Sequence, residues 1–170
     1  MMASPSQKRI VLAWLAKNFV GAIESKPNGG PLVERFQKAV DGSAVGEPWC
    51  VGFVQYCANA VDDLSTLLNG GGFSHGLFKT EWTIDLYAKS EHKFKDAAVG
   101  RIAVWRHTIN TNRGHCGIVT DVIGDDVHTV EGNTSSSAGN QRDGDGVWQK
   151  TRHAGNIEGF ELLGYLSPWE

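Results

Sequence analysis

Three cysteines and six histidines are the side chains of this 170-residue chain best suited to covalent chemistry, and Cys50 occupies a distinctive place among them. In "GEPWCVGFVQYCANAV", residues 46 to 61, it follows a proline by two residues and opens an apolar, helix-forming run. The first turn of a helix presents unpaired N–H groups and the positive end of the macrodipole. A thiol placed there is biased towards the thiolate, the form that attacks. The same donors could receive the oxyanion of an attacked carbonyl. Cys57, two turns deeper, gains neither advantage and reads as a small buried hydrophobe.

A thiolate nucleophile needs a base, and the base needs an orienting group. The candidates for the base are His75, His92, His107, His115, His128 and His153. His115 is preferred, because "NRGHCGIVTDV" puts it at the mouth of a strand just after a glycine, where a side chain can face a cleft. His128 falls mid-strand, and the others fall in loops or at helix ends. The orienting group is Glu131 or Asn133, on the strand that follows. Strand parity constrains this choice. A plain two-residue loop at Gly124-Asp125 pairs 123 with 126 and sends His115 and Glu131 to opposite faces. An odd loop or a bulge puts His115, Glu131 and Asn133 on one face, so one of these is predicted.

The elements that must hold these residues can be read from pattern. Ser4, Pro5 and Gln7 supply an N-cap, a first-turn proline and a capping-box partner. Val11, Leu15, Phe19 and Ile23 then recur every four residues as an amphipathic stripe, ended by the turn residues "KPNGG" at 26–30. Pro31 opens a second helix with Leu32, Val33, Phe36 and Val40 on one face and Gly42 beyond its end. The third has Pro48 at its first position and runs to about Val61. It is apolar nearly all round (Trp49, Val51, Phe53, Val54, Tyr56, Ala58, Ala60) and so belongs inside. A glycine-rich loop, 69–76, precedes a weaker helix from Thr80 to about Ser90. Beyond it "RIAVWR", "CGIVTDVI", "DVHTVEG", "VWQKTR" and "FELLGYL" read as strands, with a polar loop over 133–146. Helices first and an antiparallel meander afterwards describe an α+β domain, a buried helix packed on one sheet face.

Length and composition narrow the function. A chain of this size makes one domain, 1–170, without internal repeats. With 41% hydrophobic and 21% charged residues and a net charge of −3, it has no basic patch, and nucleic acid is not expected as a partner. An odd number of cysteines argues against a disulfide framework. Cys50 and Cys57 lie about 10 Å apart along one helix, too far to bridge. Lys8-Arg9 before "IVLAWLA" mimics a signal peptide, but Lys17 and Asn18 interrupt the apolar run and no cleavage site follows. No run approaches a membrane span. The expectation is a protein made in the cytoplasm without a signal peptide.

"PWCVGFVQYC", "GHCGIVTDV" and "VHTVEGNTS" together resemble the signature segments of the CHAP family, the cysteine, histidine-dependent amidohydrolases/peptidases. These are papain-like cell-wall hydrolases common among phage endolysins. "PNGGPLVERFQKAV" and "RDGDGVWQKTR" resemble the flanking segments, so the likeness runs from about Glu24 to Leu166. The resemblance implies a papain-like α+β fold with Cys50 as nucleophile, His115 as general base, Glu131 as orienter and Asn133 as auxiliary polar group. It implies hydrolysis of a peptidoglycan amide through a thioester, either between muramic acid and L-alanine or within the stem peptide or cross-bridge. The partner implied is bacterial peptidoglycan, met in the periplasm or outside the cell. A phage lysin would depend on a holin, an interbacterial toxin on an immunity protein, and a monomer is expected in either case.

Two departures from the family pattern stand out. Gly100-Arg101 replaces the Gly-Asp often found before the first central strand. "VDGSAVGEP" offers only Asp41 and Glu47 where some members carry calcium ligands, so no metal or other cofactor is expected. "DGDG" at 143–146 reads as a plain turn. Cys50, Cys57, Cys116 and His115 do not converge as a zinc set. The same residues would also serve another papain-like amide hydrolase, a deamidase or a transglutaminase. A non-catalytic wall-binding domain would keep the fold with an ordinary thiol at position 50.

Overall fold

The computed structural model describes residues 3–69, 74–136 and 144–170. Among these residues four helices, α1 (Pro5–Lys17), α2 (Pro31–Asp41), α3 (Cys50–Asn69) and α4 (Thr83–Lys89), precede all six strands of an antiparallel sheet. Its strands are β1 (Lys93–Phe94), β2 (Ile102–His107), β3 (Gly114–Ile123), β4 (Asp126–Thr134), β5 (Gly146–His153) and β6 (Phe160–Leu166). This is the expected α+β architecture. The spatial order is β1-β6-β2-β3-β4-β5, so the meander covers β2 to β5 and the last strand returns to the far side of β2. The two-residue β1 carried no readable pattern. Part of the 69–76 glycine loop and half of the 133–146 polar loop lie outside the described residues.

α1 starts as its sequence dictates, with Ser4 and Gln7 closing a reciprocal capping box. Its end and its buried face differ from expectation. The helix stops at Lys17, well before 26–30, and the face turned fully inward carries Leu12 and Ala16. Val11 and Leu15 only flank the core, and Ile23 is exposed. Phe19 lies past the helix end, where the chain turns it edge-on to Phe36, Phe53 and Tyr56. A four-residue spacing found the apolar residues but not where the helix gives way to an aromatic anchor. α2 matches its prediction, opening at Pro31 and closing at Gly42, with Val33, Phe36 and Val40 buried.

α3 is the interior helix, and it begins two residues later than Pro48. The Phe53 N–H reaches back to the Trp49 carbonyl at 2.9 Å, which leaves Cys50 as the first helical residue. The loop before it is tied down from two directions. Trp49 Nε1 donates to Glu24 at 2.6 Å, and Gln37 Nε2 donates to the carbonyls of Glu47 and Asn28 at 2.7 and 3.0 Å. α2 and α3 approach closely because residue 52 is glycine. A Cβ there would lie 2.7 Å from the Phe36 carbonyl oxygen.

The sheet has two apolar faces. Ile102, Val104, Cys116, Ile118, Val130 and Leu166 join Phe53, Val54 and Cys57 of α3 in the main core. Ala103, Trp105, Val119, Val127 and Tyr165 form a second cluster with Ile157. The β3–β4 register decides which face receives the candidate residues. Ile123 pairs with Asp126 across the short Gly124-Asp125 turn, and Asp121 pairs with His128, but Val119 pairs with Thr129. Thr120 is therefore an extra residue, a β-bulge of the kind that parity required. α4 is shorter than the predicted Thr80–Ser90 segment and packs beside β2 and β3.

Replacing Gly52 by alanine forces α2 away from α3. An urea melt of Gly52→Ala should show a loss of about 1–3 kcal/mol, the usual cost of overpacking a close contact.

Candidate active site

Cys50 sits at the N-terminal edge of α3, where the N–H groups of its first turn precede the first intrahelical bond. It is nearly buried, 6% exposed, with its sulfur 3.8 Å from Thr83 Oγ1 at the start of α4. His115 is the second residue of β3 and is fully buried. Its Nε2 bonds Glu131 Oε2 at 2.9 Å. Among the described residues its Nδ1 is buried with no hydrogen-bond partner of standard geometry. The ring stacks on Trp105, the residue opposite it on β2, with centroids 6.0 Å apart and planes 20° off parallel.

Electrostatics bind these groups into one unit. The Cys50 thiol is held well below its ordinary pKa, first by a hydrogen bond from Cys116; burial opposes this, and His115 and Thr83 lower it further. Cys116, by contrast, is pushed well up, chiefly by burial and then by its hydrogen bond to Cys50. Burial works against a charged ring at His115, yet the Cys50 and Glu131 interactions outweigh it and raise the imidazole to about 9. Burial would likewise raise Glu131, but His115 and Arg152 hold its carboxyl at about 2. The shifts of Cys50, His115 and Glu131 all act in one direction, towards a thiolate beside an imidazolium and a carboxylate. Cys57 is pushed far up by burial alone and belongs to the core.

The structure brings three of the four sequence candidates together. Glu131, not Asn133, holds the imidazole. Asn133 is buried two residues further on, in a left-handed conformation (φ 55°) where the β4–β5 register shifts between Glu131 and Thr134. Its carbonyl accepts from Gly144 N–H at 3.3 Å. His128 lies on the exposed side of β4 against Thr151 and plays no part here.

Sequence reasoning missed three contributors. Arg152 of β5 donates Nε to Glu131 Oε1 at 2.9 Å and an Nη to Oε2 at 2.6 Å. Thr129 Oγ1 donates to Oε1 at 2.6 Å. Trp105 forms the floor under the imidazole, its own Nε1 fixed to the Gly155 carbonyl at 2.6 Å. An arginine in a short polar strand carries no local signal; only the β4–β5 register reveals its target. Gly117 is the remaining device. A Cβ there would stand 2.5 Å from Glu131 Cγ, so the glycine leaves room for the carboxylate.

A cleft of about 300 Å³ opens beside Cys50, bordered by Glu47 and Glu81 and by exposed Trp82, with Arg113 also in its wall. Glu81 is raised by partial desolvation and by its proximity to Glu47 and Asp41.

A thiol at a helix start, an imidazole from the adjoining sheet and a carboxylate behind it define a papain-like cysteine-hydrolase arrangement. The CHAP domain family model matches residues 42–133, more than half of the chain and a span that includes Cys50, His115, Glu131 and Asn133. The chain belongs to the CHAP family, whose members are amidohydrolases and peptidases of bacterial peptidoglycan. No curated protein and no solved structure matches it.

Gly117→Ala should fold yet displace Glu131. A hydrolysis assay beside a thermal melt should show kcat/KM falling on the order of 10²-fold, out of proportion to any change in Tm.

Proposed function

We propose that this chain acts as a single catalytic domain that hydrolyses an amide bond of peptidoglycan, with Cys50, His115 and Glu131 as its reacting and orienting groups. The observation that carries the reading is the buried chain from carboxylate through imidazole to a lowered-pKa thiol, ending at an open cleft. The Cys50 thiolate attacks the carbonyl carbon, and the oxyanion meets the N–H groups at the start of α3. Imidazolium then gives its proton to the departing amine and the C–N bond breaks, leaving a thioester. Neutral His115 takes a proton from water, the hydroxide attacks the thioester, and the thiolate is released with the carboxylic acid.

Asn133 serves this site as an auxiliary polar group, buried where the β4–β5 register shifts between Glu131 and Thr134. The cleft suits a peptide carrying both kinds of charge. Glu47 and Glu81 face an amine well, Arg113 a carboxylate, and Trp82 offers an apolar surface, features that a stem peptide or cross-bridge can meet. Cleavage between muramic acid and L-alanine and cleavage within the peptide are separated by the fragments released.

Digestion of purified sacculi followed by mass spectrometry tests the reading. Wild type should release fragments with new amino termini, while Cys50→Ala and His115→Ala should lose roughly 10³-fold or more and His128→Ala should not. Intact sacculi with folded wild-type protein would refute the proposal.

The pH dependence has a definite sign. Protonated His115 is the required acid and its pKa is raised, so activity should be present through neutral pH and fall as pH rises through about 9. A pH profile of kcat on a soluble muropeptide checks this.

A further inference from the structure

Arg152 lies beyond the matched family segment, yet it makes the most direct contacts to the carboxylate behind the candidate base. We infer that Arg152 is a positioning residue of the active site, its guanidinium gripping Glu131 by two parallel hydrogen bonds so that the carboxylate stays charged and aimed at His115. The inference rests on the proposed roles of Cys50, His115 and Glu131.

The geometry supports it from several sides. The two bonds, 2.9 and 2.6 Å, engage both oxygens of Glu131, the fork-to-carboxylate match that a lysine cannot reproduce. Oε2 is shared between Arg152 and His115, so the guanidinium fixes the very oxygen that the imidazole bonds. The guanidinium carbon also lies 5.9 Å from the centroid of Trp105, whose other neighbour is the His115 ring. Arginine, indole and imidazole thus form one packed group.

A fully buried carboxylate facing only one imidazole would be poorly supported, because desolvation favours its neutral form. The other groups around Glu131 do not replace the arginine. Thr129 on its own strand supplies one neutral donor. From β3 come His115, the group to be oriented, and Cys116, a thiol pushed up by burial. From β5, Lys150 also feels Glu131, but its ammonium donates to the Ser135 carbonyl. Trp105 of β2 is uncharged.

Removing Arg152 removes a contribution that lowers the Glu131 pKa, so Glu131 takes up its proton at a higher pH. A neutral Glu131 no longer supports the imidazolium, and the thiolate loses its partner. The consequence reaches Cys50 without any substrate present. The rate of Cys50 alkylation by iodoacetamide, followed by mass spectrometry from pH 4 to 10, should lose its acid limb at higher pH in Arg152→Met. The expected shift is about one unit or more, with Arg152→Lys between it and wild type. A folded Arg152→Met whose rates fall evenly with the limb unmoved would mean a merely structural arginine and overturn the inference.

If Arg152→Met does not fold, carboxyl ¹³C NMR of Glu131 in wild type and Arg152→Lys takes its place. The inference expects wild-type Glu131 to stay ionised below pH 4 and to titrate higher in the lysine variant. Titration in the ordinary range in wild type, or no rise in Arg152→Lys, overturns it. Sacculus digestion run on the same samples keeps the two readings apart, since a shifted limb with intact sacculi defeats the hydrolase proposal alone. Cleaved sacculi with an unshifted limb defeat this inference alone.

Discussion

A carboxylate with no exposure to water sits at the centre of this molecule, and its charge must be stabilised by protein groups alone. Glu131 does so with a guanidinium, a hydroxyl and an imidazole, each from a defined place in the sheet. Taking such a charge out of water costs several kcal/mol before its partners repay it, and an unpaired one would take up a proton instead. The pairing therefore fixes more than stability. It fixes which way the His115 ring faces and which of its nitrogens bonds the carboxylate.

The rest of the fold serves that pairing. Buried α3 delivers Cys50 to the sheet with its first-turn N–H groups foremost, and Glu24, Gln37 and Trp49 hold the preceding loop in place. The Thr120 bulge turns His115 and Glu131 to the same face, and the β4–β5 register then adds Arg152 to it. Glycine at 117 leaves the carboxylate its space. These features are far apart along the chain, and each would be unremarkable alone. The family relationship accounts for the match over 42–133, while β5 and β6 complete the sheet beyond it.

Much of this was legible from residue types and spacing. The capping box of α1, the Pro31 and Gly42 boundaries of α2 and the all-round apolarity of α3 are local signals, because each reflects chemistry within a few residues. The need for a bulge between His115 and Glu131 was also readable, since strand parity is arithmetic. The misreadings have local causes too. The four-residue stripe through Phe19 and Ile23 extended α1 past its real end, where an aromatic cluster captures Phe19 and Ile23 is left exposed. Proline at 48 suggested a helix start, yet the first backbone bond forms from Phe53 to Trp49.

By itself, then, the sequence determined the order of the helices and of the five longer strands, the thiol at a helix start and the histidine at a strand mouth. It did so because periodicity, capping and turn chemistry act over short distances. Only the tertiary structure decided that Glu131 rather than Asn133 holds the imidazole, that Arg152 and Thr129 hold Glu131, and that Cys116 lies against Cys50. Those choices depend on register and burial, which bring together residues from strands far apart in the chain and remove the water that would otherwise screen their charges.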